Sequence, residues 1–347
     1  MIKALIVEDS PVVSELLAHI LSSDPDILVT GSAVNGEEAV EAVRRNKPDV
    51  VTMDIHMPKL DGFKATRIIM ETDPVPIIIV TGSANMREVE TSFRAIEAGA
   101  VTVVQKPRGI GHPDFEKHSR ELIKAVKLMS EVKVVKRWSK VTEERLRLRK
   151  ETVLRAPTPE IGVVAIGAST GGPPVIRKIL SELPVNFPAP VLIVQHMAAG
   201  FIEGFAEWLG QTSLLPVHVA AHDCVILPGH VYVAPAGQQM KAQTNGRLSC
   251  MAENPENGLC PSVACLFRSV AEVYGKNAAG VLLTGMGKDG AEELKMMKEI
   301  GAVTIAQDEE SSVVFGMSGE AIKLGAAMYV LPPERIAATL AILVKRN

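Results

Sequence analysis

The residue types that could do chemistry in this chain gather at the ends of short apolar runs. Glu8 and Asp9 follow Ala4–Val7, and Asp54 follows Val50–Met53. Three carboxylates brought to one place repel one another unless a cation joins them. Hard oxygen donors in small number suit Mg2+, which keeps part of its water shell and bridges to phosphate oxygens. Thr81 closes the run Pro76–Thr81, and Lys106 follows Val101–Gln105, with Pro107 after it. A hydroxyl and an ammonium at the same edge would hold a phosphoryl group on Asp54.

A second constellation lies further along. Gly167-Ala168-Ser169-Thr170-Gly171 carries G-x-S-x-G between an apolar run and a stretch of helical period. That spacing exposes a serine on a sharp strand-to-helix turn. The helix N-terminus beyond it is expected to offer free N–H groups to an oxyanion. A phosphate-cradling loop or a plain turn fits the same residues. A serine nucleophile needs a base, and the base needs an orienting carboxylate. Of the eight histidines, His196 directly follows the apolar run Val191–Gln195. Asp289 lies in Leu282-Leu283-Thr284-Gly285-Met286-Gly287-Lys288-Asp289-Gly290, again between a strand-like and a helix-like segment. Ser169, His196 and Asp289 therefore come from three strand–loop junctions. Their order along the chain differs from the Ser, Asp/Glu, His order of α/β-hydrolases, so G-x-S-x-G does not place the chain in that fold.

The same stretch holds a competing pattern. Gly285, Gly287 and Gly290 form G-x-G-x-x-G, and Asp308 lies 18 residues past Gly290, roughly where a ribose-binding acid would sit. Against dinucleotide binding, Asp289 puts a carboxylate at the helix start where a pyrophosphate would bind, and two anions at one positive helix end repel.

These residues need elements to position them. Strand-like runs at Ala4–Val7, Ile27–Ala33, Val50–Met53, Pro76–Thr81 and Val101–Gln105 alternate with helical stretches near Val12–Leu21, Glu37–Arg45, Phe63–Met70, Arg87–Ala98 and Phe115–Met129. The alternation predicts right-handed crossovers and a flavodoxin-like (βα)5 unit with a parallel, doubly wound sheet, whose strand ends border a ligand crevice. From Ile161 the rhythm resumes. Strands are expected at Ile161–Ile166, Val191–Gln195, Val231–Ala234, Ala279–Leu283 and Ala302–Ala306, and helices at Pro174–Leu183, Ile202–Trp208, Ser262–Tyr274 and Glu292–Ile300. A second doubly wound parallel α/β unit follows. Short pieces such as Ile226-Leu227-Pro228-Gly229-His230 suggest β excursions within it. The intervening stretch from Glu131 to Arg155 holds nine Lys/Arg against four Asp/Glu and ends in Ala156-Pro157-Thr158-Pro159. It reads as a solvated linker, part helical around Glu143–Lys150. The expected division is 1–127, a basic linker 128–158, and 159–347.

Composition narrows the function classes. With 47% hydrophobic and 22% charged residues, the 347-residue chain is not largely disordered and is long enough for two domains. A net charge of −3 argues against a generally basic nucleic-acid binder. The N-terminal apolar run is too short for a signal peptide, and no run reaches the ~18 residues of a membrane span. A cytoplasmic protein without membrane insertion is expected. None of the four cysteines forms C-x-x-C, so neither a zinc knuckle nor a disulfide scaffold is indicated. Cys260 and Cys265 read as half-buried apolar residues rather than reactive thiols.

On Glu8-Asp9, Asp54-Ile55-His56-Met57-Pro58-Lys59-Leu60-Asp61-Gly62, Thr81 and Lys106-Pro107, the first ~125 residues resemble the receiver domain of bacterial response regulators. The resemblance implies that Asp54 accepts phosphate from a histidine kinase. It also implies Mg2+ on Glu8, Asp9, Asp54 and the backbone carbonyl of His56, with Thr81 and Lys106 supporting the phosphoryl group. Val103 departs from the pattern, standing where many receivers carry a switch Tyr or Phe.

The remainder, over ~160–335, resembles the catalytic domain of the chemotaxis response-regulator protein-glutamate methylesterases. The matching stretches are Gly167–Pro173, Gln195-His196-Met197, Leu227-Pro228-Gly229, Val231–Pro235, Leu266–Ser269, Thr284–Gly290, Ala306–Glu309 and Val313–Met317. By that resemblance Ser169 is the nucleophile, His196 the base and acid, and Asp289 its orienter. Met286 N–H forms the oxyanion hole with Thr170 nearby, and the catalytic domain needs no cofactor. The implied substrate is a γ-glutamyl methyl ester, or a glutamine, on a cytoplasmic chemoreceptor helix. A receiver joined to a hydrolase by a short linker also implies control by occlusion. Leu259, Cys260, Ala264, Ala198, Ala199, Ile202 and Ser318 depart from the family's usual residues, mostly near the presumed substrate surface. A diverged hydrolase domain acting only as a phosphorylation-dependent binding module is the alternative.

Overall fold

The computed structural model describes residues 1–82, 86–132, 134 and 160–344. The first unit runs β1 (Ile2–Val7), α1 (Pro11–Ser22), β2 (Ile27–Ala33), α2 (Gly36–Asn46), β3 (Val50–Met53), α3 (Gly62–Thr72), β4 (Ile77–Thr81), α4 (Met86–Ala98), β5 (Thr102–Gln105) and α5 (Phe115–Ser130). All five strands pair in parallel, in the order β2-β1-β3-β4-β5. Every residue of β3 and β4 is buried, as expected of central strands covered on both faces by helices. Asn35 caps α2 by accepting from Glu37 N and Glu38 N, and Asp61 caps α3 by accepting from Lys64 N. The strand order reverses between β1 and β3, which opens the crevice beside Glu8 and Asp54.

The second unit continues with β6 (Val163–Ala168), α6 (Gly172–Glu182), β7 (Val191–Gln195), α7 (Ile202–Gly210), β8 (Val217–Val219), β9 (Val231–Val233), β10 (Gln239–Ala242), β11 (Leu248–Met251), α8 (Val263–Tyr274), β12 (Ala278–Leu282), α9 (Ala291–Glu299), β13 (Val303–Gln307), α10 (Met317–Lys323), β14 (Tyr329–Leu331) and α11 (Pro333–Leu343). Its seven-stranded parallel sheet has the order β14-β13-β12-β6-β7-β9-β8. The strands that precede Ser169, His196 and Asp289 are thus neighbours, β12-β6-β7, with β6 in the middle. Apolar side chains on both faces bury this sheet, and β6 and β12 are buried throughout.

The elements expected from periodicity are present with ends shifted by at most two residues. Periodicity missed the three-residue strands β8 and β14, which are too short to display a period, and also α10 and α11. The antiparallel hairpin β10–β11 carries the β excursion, whereas Ile226–His230 forms a turn before β9. The helical stretch expected at Glu143–Lys150 lies outside the described residues. Among the described residues no helix is long and apolar enough to cross a membrane.

The two units share one apolar cluster. Phe93, Ala95 and Ile96 of α4 pack with Phe201, Phe205 and Trp208 beside α7. Receiver side chains therefore lie against α7, and Phe93 and Ile96 line the same cavity as Ser169.

Candidate active site

At the end of β1, Glu8 is buried and Asp9 exposed; at the end of β3, Asp54 is 8% exposed. Oxygen atoms of these three carboxylates lie within 4.8 Å of one another. Lys106, just past β5, reaches in from the side, with Nζ 2.8 Å from Glu8 Oε2 and 3.0 Å from Asp54 Oδ2. Burial and the neighbouring Asp54 raise the Glu8 pKa despite the bond from Lys106. Burial would lower the Lys106 pKa, but Glu8 and Asp54 outweigh it and hold the ammonium charged. Three carboxylates thus face one ammonium, an excess of negative charge that hard oxygen donors resolve by binding a small divalent cation. The cluster fits Mg2+. Thr81 is buried at the end of β4, its carbonyl accepting from Lys106 N at 2.7 Å, and His56 lies exposed just after Asp54.

In the second unit the turn after β6 is tightly built. Gly171 adopts φ +77°, and a Cβ there would stand 2.5 Å from Val313 Cβ, so only glycine completes the turn. Gly285 crosses above it; a Cβ there would meet Ser169 Cβ at 2.7 Å. Ser169 N donates to Thr284 O, and His196 N donates to Ala168 O, which ties all three catalytic-candidate loops to the sheet edge. His196 Nε2 lies 2.9 Å from Asp289 Oδ2, a close contact whose angle falls short of a hydrogen bond. Ser169 Oγ makes no hydrogen bond to His196 in this conformation. Such bonds often tighten only around substrate.

Asp289 does a second job that sequence reasoning missed. Its Oδ2 accepts from Val263 N at 2.7 Å and its Oδ1 from Ala264 N at 3.1 Å, in the first turn of α8. Ser262 Oγ accepts from Cys265 N and Ser262 N donates to Gln239 Oε1, so all four free donors of that helix end are satisfied. Burial alone would raise the Asp289 pKa. His196 and the two backbone N–H groups outweigh it and hold the carboxyl below its ordinary range. The local signal was the Ser262 cap, which marks a helix N-terminus, but nothing local shows that it faces Asp289. The carboxylate of the G-x-G-x-x-G stretch is therefore engaged by the first turn of a different helix.

One expectation is narrowed. The helix after Ser169 offers fewer free N–H groups than an ordinary helix N-terminus, the N-cap Gly171 N being one that donates to no protein group. Pro173 and Pro174 have none, and Gly172 N already donates to Ser169 O. Among the described residues, Thr170 N and Met286 N, like the neighbouring Gly171 N and Gly287 N, donate to no protein group and are free to receive an oxyanion. Gln195, fully buried at the end of β7, donates from one amide to Ser169 O and His196 O and so braces both loops. Burial pushes the Cys265 thiol up to about 11, leaving it inert near neutrality.

Ser169, His196 and Met197 line a small cavity of about 40 Å3, closed on the other side by Phe93, Ile96 and Val103 of the receiver. That volume holds a few waters and no segment of another protein.

Two family patterns match the chain: the response regulator receiver domain over residues 4–112, and the CheB methylesterase over 164–340. A protein of Nitrosospira multiformis named protein-glutamate methylesterase/protein-glutamine glutaminase is 56% identical over 99% of this chain and 97% of its own length. A protein of the same name from Syntrophus aciditrophicus is 56% identical over 98% of this chain and 97% of its own. The CheB methylesterase catalytic domain of Thermotoga maritima superposes with a TM-score of 0.51 at 41% identity, covering 53% of this chain and 99% of that one. With the three catalytic candidates on adjacent strands and an acidic crevice in front of them, the chain belongs to the CheB methylesterase family, its catalytic domain preceded by a response-regulator receiver.

Proposed function

We propose that this chain is a phosphorylation-controlled, cytoplasmic hydrolase that demethylates glutamate γ-methyl esters, and deamidates glutamines, on the cytoplasmic helices of a chemoreceptor. The observation that carries this reading is the contact of His196 with a buried Asp289, both on loops that follow the strands flanking the one that presents Ser169. Receiver 1–127, linker 128–158 and catalytic domain 159–347 are the proposed division.

In the proposed reaction Ser169 Oγ attacks the γ-carbonyl carbon while His196 takes its proton. The carbonyl π electrons move to oxygen, and Met286 N–H and Thr170 N–H stabilise the resulting anion. Asp289 holds the imidazole and stabilises its charged form. His196 then returns the proton to the leaving oxygen, the C–O bond breaks, and methanol departs. Water, deprotonated by His196, attacks the acyl-serine ester; its collapse frees Ser169 and leaves glutamate. A glutamine side chain follows the same path with ammonia as the leaving group. Both substrates give the same acyl-serine once the leaving group has departed, so one site serves both.

At the receiver, Asp54 is the proposed acceptor of a phosphoryl group from a histidine kinase. Glu8, Asp9, Asp54 and the His56 carbonyl would hold Mg2+, which would neutralise their charge against the incoming phosphate. Lys106 and Thr81 would bind the phosphoryl oxygens. In the unphosphorylated state the receiver face bearing Phe93, Ile96 and Val103 covers the Ser169 cavity, which supports control by occlusion.

The test is methanol release from membranes carrying a methyl-esterified chemoreceptor, paired with mass spectrometry after a serine-reactive fluorophosphonate. The expected result is phosphodonor-stimulated methanol release and a single adduct on Ser169. An intact Ser169 that neither reacts nor supports methanol release would leave only a binding module.

A further inference from the structure

Thr284 is fully buried and has no part in the reaction written above. Each of its polar groups is nonetheless engaged. Its N–H donates to Gln307 Oε1 at 2.8 Å, and its carbonyl accepts from Ser169 N at 3.1 Å. Its hydroxyl donates to Thr170 O at 2.9 Å and accepts from Val314 N at 2.9 Å. Gln307, also fully buried, is in turn fixed by donating to the carbonyl and hydroxyl of Ser311. One small residue therefore joins three loops: the serine turn, the segment leading into Met286, and the segment 308–316 that lies over both.

The geometry points to the Thr284 hydroxyl as a positioning group that sets the spacing between Thr170 and Met286, the two residues whose N–H groups form the oxyanion hole. This inference rests on the Ser169 mechanism proposed above. A hydroxyl can satisfy a carbonyl and an N–H at once, whereas a valine of the same shape satisfies neither. Thr284 stands two residues before Met286, and its hydroxyl holds the carbonyl of Thr170. Loss of that bond frees the serine turn to move relative to Met286 without touching the surface that would meet the substrate. Oxyanion donors act only over a narrow range of distance, so a small drift lowers the rate of the chemical step and leaves binding alone.

The experiment measures kcat and KM of the full-length protein, supplied with acetyl phosphate and Mg2+, on vesicles carrying a radiolabelled methyl-esterified chemoreceptor. Thermal unfolding is followed on the same samples. The variants are Thr284→Val, Thr284→Ala, Thr284→Ser and Ser169→Ala. Thr284→Val and Thr284→Ala should lose about 10–100-fold in kcat with KM within about twofold, and Thr284→Ser should stay within about threefold of the parent in both. If Thr284→Val keeps its kcat while Ser169→Ala is inactive, the positioning role falls and the serine mechanism stands. An active Ser169→Ala overturns the mechanism underneath instead. A rise in KM alone also overturns the positioning role. So does a result in which Val and Ala both fail to fold while Ser behaves as the parent, because the hydroxyl would then serve stability only.

Discussion

Phe93 of the receiver stacks on Trp208 of the catalytic domain, ring centroids 4.9 Å apart and planes 23° from parallel. Phe205 adds a tilted contact to Phe93 at 5.5 Å. Arg177 lies over the Trp208 ring at 4.4 Å and pairs with Glu97 of the receiver. An aromatic pair contributes ~0.5–1.5 kcal/mol beyond its buried area, and a partly exposed ion pair up to ~1 kcal/mol. Contacts of this modest size suit the proposed occlusion, in which the same contact must both form and be opened.

Removing the ion pair should therefore loosen the closed state. Glu97→Gln is expected to raise demethylation without phosphodonor by up to about fivefold. The fragment 159–347 should exceed the unphosphorylated full chain by more, and only the full chain should respond to acetyl phosphate and Mg2+. Parallel assays of the three proteins check this. Equal rates in all of them would leave the receiver as a targeting module.

Ser169→Ala should remove methanol release while keeping cooperative unfolding. The change deletes one oxygen and makes almost no cavity, yet takes away the proposed nucleophile. Retention of more than about a tenth of the parental rate would contradict the serine mechanism, because loss of a triad member costs several powers of ten.

Asp289→Asn should slow hydrolysis by at least about 100-fold, since an amide cannot stabilise the imidazolium. It should also destabilise the domain by about 1–3 kcal/mol, because the amide oxygen can accept from only one of Val263 N and Ala264 N and the NH2 faces the other. The Asp289 carboxyl is held below its ordinary value of 3.8. Its stabilising contribution is thus complete above roughly pH 4 and is lost as pH falls through the depressed folded value. Denaturant titrations should show the gap between parent and variant narrowing as pH falls below about 4. A gap that persists undiminished through strong acid would mean the carboxyl does not contribute in its charged form.

Asp54→Asn should abolish labelling by acetyl phosphate in Mg2+, read by intact-protein mass. The amide is a poor nucleophile and removes one anionic ligand from the cluster with Glu8 and Asp9. Phosphate retained on the variant would move the acceptor to another residue.

Much of this protein is legible in its sequence because its chemistry sits at strand ends. An apolar run of four to six residues followed by Asp54, Ser169, His196 or Lys106 is a local pattern, and a parallel sheet puts all such ends on one edge. The prolines that deprive α6 of donors were also in plain view at 173 and 174, since a missing N–H needs no structure to be seen. Other features are relations between segments distant in the chain. They include Asp289 holding the first turn of α8, Thr284 joining three loops, and Phe93 against Trp208. Hydrophobic periodicity says that Phe93 must be buried, but not that its partner is a tryptophan more than 100 residues away. Side-chain period specifies which face of an element is covered, whereas the identity of what covers it depends on long-range packing, and that only the tertiary structure decides.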